Sequence, residues 1–168
     1  NLSGVQFTQG DLIPGLRDVL GKYDVPAHRI NLELTEGIIM EQAEAAIRTL
    51  HRLNDLGLQL SIDDFGTGYS SLTYLHRFPT QNVKLDRSFV SNMDPKESSG
   101  IVRTIIDLAH DLGMRVVAEG IESPGQAQQL ADMSCEAGQG FYFGQAVPAK
   151  EARELIGETL PQRTKTTR

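Results

Sequence analysis

Leu58-Gln59-Leu60-Ser61-Ile62-Asp63-Asp64-Phe65-Gly66-Thr67-Gly68 decides the reading of this chain. The first five residues read as a strand, two adjacent carboxylates follow, and a glycine-rich turn closes the stretch. Two ionised acids at a strand end lose hydration at high cost unless a cation sits with them. A divalent metal would offset that cost, because hard cations prefer oxygen ligands. The plain alternative is a solvated β-turn, since Asp and Gly are ordinary turn residues.

Outward from that stretch the chain alternates strand and helix. Asp11 to Gly21 reads as a helix with Pro14 in its first turn, where proline is tolerated. Arg29 to Leu34 reads as a strand that Thr35-Glu36 leaves. Glu41 to Leu56 carries Ala43, Ala46, Ile47, Leu50 and Leu53 at helical spacing before Gly57. After the opening stretch, Leu72 to Arg77 reads as a short helix and Asn82 to Leu85 as a strand. Ser98 to Leu112 then reads as a helix, Arg115 to Ala118 as a strand and Pro124 to Met133 as a helix. Gly140 to Phe143 is expected to be the last strand, and Ala149 to Ile156 a closing helix. Helix-length crossovers between strands imply a parallel sheet covered by helices, an α/β class.

The 168 residues fit one domain with a sizeable core. Net charge is -6, and the tail from Pro161 to Arg168 holds Arg163, Lys165 and Arg168 without an acid, so the body is more acidic still. That balance argues against a DNA or RNA duplex as partner. No apolar run approaches the ~20 residues needed to cross a bilayer, so no membrane contact by this segment is expected. Cys135 is the single cysteine, which excludes an internal disulfide and fits a cytoplasmic setting. Neither Cys135 nor the four histidines show zinc-ligand spacing.

The polar residues recur at strand ends. Glu33 and Glu36 stand at the first, Asp63 and Asp64 at the second, Lys84 on the third, Glu119 and Glu122 after the fourth, and Gln139 before the expected last strand. In a closed parallel barrel all strand C-termini share one face, which holds the active site. Glu33, Asp63, Asp64 and Glu119 would then converge. Like charges that close need cations between them, and paired metals clamp in-line attack on a phosphodiester.

Asn1-Leu2-Ser3, Glu33-Leu34-Thr35-Glu36, Asp63 through Ser71, Val83-Lys84-Leu85-Asp86, Ala118 through Glu122 and Gln139 through Phe143 together resemble the EAL domain, a family of bacterial cyclic-di-GMP phosphodiesterases. The resemblance implies a TIM-like (β/α) barrel, two Mg²⁺ or Mn²⁺ ions, and hydrolysis of cyclic di-GMP to linear pGpG. It implies that Asn1, Glu33 and Asp63 bind one ion, that Asp63 bridges to a second held also by Asp64, and that Glu119 acts on the second. Lys84 would position the attacking water, and Glu36 would anchor the Gly66-Thr67-Gly68 loop, which runs on to Ser71 and couples the site to a homodimer interface. Gln139 would lie at the metal–water cluster, with Asp86 and Glu122 nearby. The Glu-Ala-Leu signature is absent. It is expected upstream of Asn1 with about three barrel strands, another metal ligand and a substrate-binding arginine. On that reading residues 1–158 are the C-terminal portion of an EAL domain, weak or inactive alone, and residues 159–168 a basic disordered tail. A sensory or GGDEF domain fused upstream is a further expectation, with the parent protein either free in the cytoplasm or membrane-anchored. The alternative reading is a non-catalytic cyclic-di-GMP receptor.

Overall fold

The computed structural model describes residues 1–68, 72–93 and 100–155. The expected basic tail, the loop positions Tyr69 to Ser71, the first two residues of the helix expected from Ser98, and Ile156 lie outside the described residues. Five parallel strands form one sheet: β1 (Asn31–Thr35), β2 (Gln59–Phe65), β3 (Asn82–Leu85), β4 (Arg115–Ala118) and β5 (Ala137–Gly138). Their spatial order is their chain order, β1-β2-β3-β4-β5. Parallel crossovers are right-handed, so strands added always on the same side carry their helices on the same face. A doubly wound sheet would reverse direction part-way, and this one does not.

The helices are α1 (Gly4–Thr8), α2 (Leu12–Tyr23), α3 (Glu36–Glu41), α4 (Ala43–Asp55), α5 (Leu72–Leu75), α6 (Arg87–Ser91), α7 (Gly100–Asp111), α8 (Pro124–Asp132) and α9 (Ala149–Leu155). Among the described residues no helix is long and apolar enough to cross a membrane. The best-patterned helix, α4, buries Ala46, Ile47, Leu50 and Leu53. They meet a sheet face made of Leu34, Leu60, Ile62, Val83, Leu85, Val116 and Ala118, all buried. Each buried Leu, Ile or Val among them contributes roughly 1.5–3 kcal/mol by leaving water.

Side chains alternate across a strand, and the other face of this sheet is polar. Asn31, Glu33, Gln59, Ser61, Asn82, Lys84 and Gln139 line a cavity of about 360 Å³ there. Parallel sheets covered on both faces by helices normally read as continuous apolar runs. Here the alternation separates a greasy outer face from a polar bore.

Several boundaries differ from the sequence expectation, among them β2, which runs through both acids to Phe65, and α6, which was not expected; four more differ for a local reason. Pro26 starts a 3₁₀ turn over Ala27–Arg29, so β1 begins at Asn31. Gln42 leaves helical geometry (φ -141°, ψ 60°), so the helix expected from Glu41 begins at Ala43, and Glu41 instead ends an added α3 directly after β1. The short α1 was not expected, although Ser3 and Gln6 form a capping box, a legible start signal. The last strand is Ala137–Gly138, not Gly140–Phe143. The latter forms a turn in which Phe143 N–H donates to the Gly140 carbonyl (3.0 Å). Its three aromatic residues favour strands, but β5 had already paired with β4, through Val117 beside Ala137 and Ala118 beside Gly138. The Glu136 carboxylate extends that short ladder by accepting the Val116 N–H at 2.8 Å. Gln139 therefore follows the last strand instead of preceding it.

Replacing Leu50, fully buried under the sheet, with alanine is expected to cost about 2–5 kcal/mol, read as a lower urea midpoint at an unchanged slope.

Candidate active site

Lys84 lies in the middle of β3 with its side chain in the bore, 7% exposed. Its ammonium meets Glu33 Oε2 at 2.9 Å, Asp63 Oδ1 at 3.1 Å and Glu119 Oε1 at 2.6 Å. A lysine has three N–H donors, and all three point at carboxylates from three different elements. Burial would push its pKa down, but the hydrogen bonds to Glu119, Glu33 and Asp63 more than offset that and hold it above the ordinary lysine range. The site thus has a fixed positive charge within a ring of negative ones.

The adjacent pair Asp63-Asp64 needs a second device. Neighbouring strand residues face opposite ways, so a regular β2 would drive Asp64 into the apolar face. The register shifts instead: Ile62 pairs with Val83, but Phe65 pairs with Leu85. One extra residue is accommodated, with Asp64 at φ 53° and its N–H donating to Asp63 Oδ1 at 3.1 Å. Bulges of this kind re-aim side chains, and Asp is among the few residues that tolerate the left-handed region. Phe65 returns to the core, 3% exposed. Burial, then the negative charges of Asp63 and Asp86, raise the Asp64 carboxyl above its ordinary value, while Lys84 pulls it down.

The turn after the bulge is held from below. Glu36 opens α3 and is 2% exposed; its Oε2 accepts the Gly66 N–H at 3.0 Å. Gly66 sits at φ 90°, where a side chain is strained. Gly68 is constrained by space: a β-carbon there would lie 2.7 Å from Glu36 Oε1. Thr67 closes the turn by donating its hydroxyl to the Asp64 carbonyl at 2.7 Å.

The other expected residues fall at varying distances from this centre. Leu2 N–H donates to the Glu33 carbonyl at 2.9 Å, which sets Asn1 at the edge of β1, its side chain exposed. Gln139 N–H donates to the Ala118 carbonyl at 2.8 Å, next to Glu119, and its side chain lines the bore. Asp86 accepts the Ser88 N–H at 3.0 Å as the cap of α6, and hydrogen bonding from Ser88 holds it below the usual carboxylate range. Glu122 pairs with Arg87 at 2.7 Å on the surface. Cys135 is buried, and burial pushes its thiol pKa up, away from nucleophilic chemistry. Asn31, Ser61 and Asn82 line the bore one alternation below Glu33, Asp63 and Lys84, and the sequence reading passed them over. Their signal was there: each stands two residues before a site residue, hence on the same strand face.

Among the described residues, no three Asp, Glu, His or Cys side chains stand close enough to one another to hold an ion as placed. The donor chemistry nevertheless fits a hard divalent cation: carboxylates and one amide, with no sulfur or imidazole. Glu33, Asp63 and Glu119 already share one cation, the Lys84 ammonium, and Asp64 lies in the negative field of Asp63 and Asp86.

Gly68→Ala is expected to push the turn off Glu36, so that the Gly66 amide exchanges with solvent faster in hydrogen-exchange measurements while β1 amides keep their protection.

A family model described as "EAL domain" matches residues 1–146. MucR of Pseudomonas aeruginosa, named a bifunctional diguanylate cyclase/cyclic di-GMP phosphodiesterase, is 38% identical over 152 residues, 90% of this chain and 22% of MucR. The solved structure of the MucR phosphodiesterase in complex with c-di-GMP superposes with a TM-score of 0.86, covering 90% of this chain and 62% of that one. The EAL domain of Mycobacterium smegmatis DcpA is 32% identical, with a TM-score of 0.88 over 96% of this chain and 73% of that one. The chain spans about a fifth of the length of the curated relatives it matches. With its ordered parallel strands and one-sided helices, the chain belongs to the EAL domain family, and its sheet is an arc of that family's TIM-like (β/α) barrel.

Proposed function

We propose that the protein acts in cyclic-di-GMP signalling as a metal-dependent phosphodiesterase that opens cyclic di-GMP to linear pGpG. One observation carries the reading: carboxylates from three elements converge on a buried lysine at the C-terminal ends of parallel strands, the catalytic face of such barrels. The name of MucR and the c-di-GMP in its complex support the substrate class.

Glu33, Asp63, Asp64, Glu119 and Asn1 would hold Mg²⁺ or Mn²⁺, with Gln139 beside them. Two such ions polarise a phosphoryl oxygen and lower the pKa of water when bound. The protein's own groups do the rest. Lys84 offers a fixed positive charge where negative charge develops on the phosphodiester, and an N–H released by a carboxylate that takes up an ion would orient the attacking water. Glu36 keeps the turn carrying Gly66, Thr67 and Gly68 against the site, so that Asp63 and Asp64 hold their directions. Asp86, as the cap of α6, and Glu122, through Arg87, steady the loops beyond β3 and β4. Homodimerisation through the Gly66 to Ser71 loop, and fusion to a sensory or GGDEF domain, belong to the same proposal.

The test is chromatographic detection of pGpG after incubating the protein at its full natural length with cyclic di-GMP and Mg²⁺ or Mn²⁺. Product that vanishes with a chelator supports the reading; cyclic di-GMP bound but uncut in both metals sinks it and leaves a receptor. Lys84→Met is expected to lower kcat by about 10²-fold or more, with a smaller change in KM for the nucleotide.

A further inference from the structure

Below the site, three polar side chains that no part of the reaction requires are joined in a row. Asn82 Nδ2 donates to Ser61 Oγ at 3.4 Å, Ser61 Oγ donates to Asn31 Oδ1 at 3.0 Å, and Asn31 Nδ2 donates to Glu33 Oε1 at 3.5 Å. The row crosses β3, β2 and β1 and ends on the carboxylate whose other oxygen, Oε2, accepts from Lys84. We propose that Ser61, acting with Asn31 and Asn82, is a positioning residue for Glu33: a one-way hydrogen-bond relay that fixes the plane in which that carboxylate meets a divalent ion. The inference rests on the reading of Glu33 as a metal ligand.

The direction of the relay follows from donor chemistry. An ionised carboxylate only accepts, so Asn31 must turn its amide N–H₂ toward Glu33 and its carbonyl toward Ser61. The Ser61 hydroxyl has one proton, and the Asn31 carbonyl claims it. The oxygen of Ser61 is then left as acceptor for the Asn82 amide. Reversing any member would set two acceptors or two donors face to face.

Burial and geometry say why the relay acts on Glu33 rather than merely satisfying itself. Ser61 is 1% exposed, and a buried hydroxyl is retained at a desolvation cost that an alanine would not incur. Among the described residues, Glu33 is the one charged group the relay reaches. With Lys84 on one oxygen and Asn31 on the other, rotation of its carboxylate about the last bond is restrained from both sides. The final leg is long, so the relay works through orientation more than through bond strength, as outer-shell partners of metal ligands do.

The test compares Mn²⁺ affinity by electron paramagnetic resonance, without nucleotide, for the wild type, Ser61→Ala, Ser61→Thr and Asn31→Ala at full natural length. Ser61→Ala and Asn31→Ala are expected to bind Mn²⁺ about tenfold more weakly. Ser61→Thr keeps the hydroxyl, and its extra methyl has room in the cavity that Ser61 lines, so it is expected to restore affinity. Wild-type affinity in Ser61→Ala, or a loss in Ser61→Thr equal to that in Ser61→Ala, overturns the relay. Should Ser61→Ala fail to fold, Asn31→Ala decides alone, because Asn31 is exposed: unchanged Mn²⁺ binding there is equally fatal. A wild type that binds no Mn²⁺ overturns the functional reading as well, a result distinct from equal affinities across the series.

Discussion

One ammonium against three carboxylates is the interaction on which the site depends. Glu33, Asp63 and Glu119 each lie 2.6 to 3.1 Å from the Lys84 ammonium, and without it three carboxylates gathered so closely would repel one another. Lys84 removes one charge from that balance and supplies a hydrogen bond to each acid. Because β1, β2 and β3 run side by side and β4 follows, the sheet brings to a point groups that lie 86 positions apart at the extremes of the chain's site, from Glu33 to Glu119. The apolar outer face, anchored by Leu34, Leu60, Ile62, Leu85 and Val116 under the helices, provides the rigidity that lets the inner face stay polar.

Two backbone devices translate that scaffold into aimed side chains. The bulge in β2 reconciles a two-residue alternation with two consecutive acids: Phe65 returns to the core, while Asp64 stays half-buried within the fields of Asp63, Asp86 and Lys84. Glu36 then fastens the following turn by a single hydrogen bond to a glycine amide, with Gly68 pressed so close that no side chain fits. Both devices sit on the β2 side of the site. On the β4 side the support comes from the backbone: Glu119 N–H donates to the Leu85 carbonyl at 3.1 Å, and Gln139 N–H to the Ala118 carbonyl.

The polar bore gives the fold its functional character. In barrels filled by branched apolar residues the interior is a packed core. Here Asn31, Ser61 and Asn82 occupy the layer beneath the acids and connect to Glu33. A charged mouth therefore rests on a polar floor instead of on hydrocarbon, which lowers the cost of keeping several ionised groups together.

The sequence alone determined the class of the fold and the identity of the acids. Alternating strand and helix signals, with Asn82–Leu85 and Arg115–Ala118 legible to the residue, follow from local periodicity, and Glu33, Asp63, Asp64, Glu119 and Lys84 stand out because charged residues are unusual on buried strands. Its failures were local competitions won by tertiary pairing. The aromatic Gly140–Phe143 run has strand propensity, but Ala137–Gly138 holds the sheet edge, and Gln42 separates Glu41 from the helix it was expected to open. Only the tertiary structure decided which cation sits among the acids, how β2 accommodates two consecutive acids, and that three plain polar residues connect to Glu33. Those facts depend on register between strands far apart in the chain, and register is set by the packing of the whole sheet, which no single stretch of sequence contains.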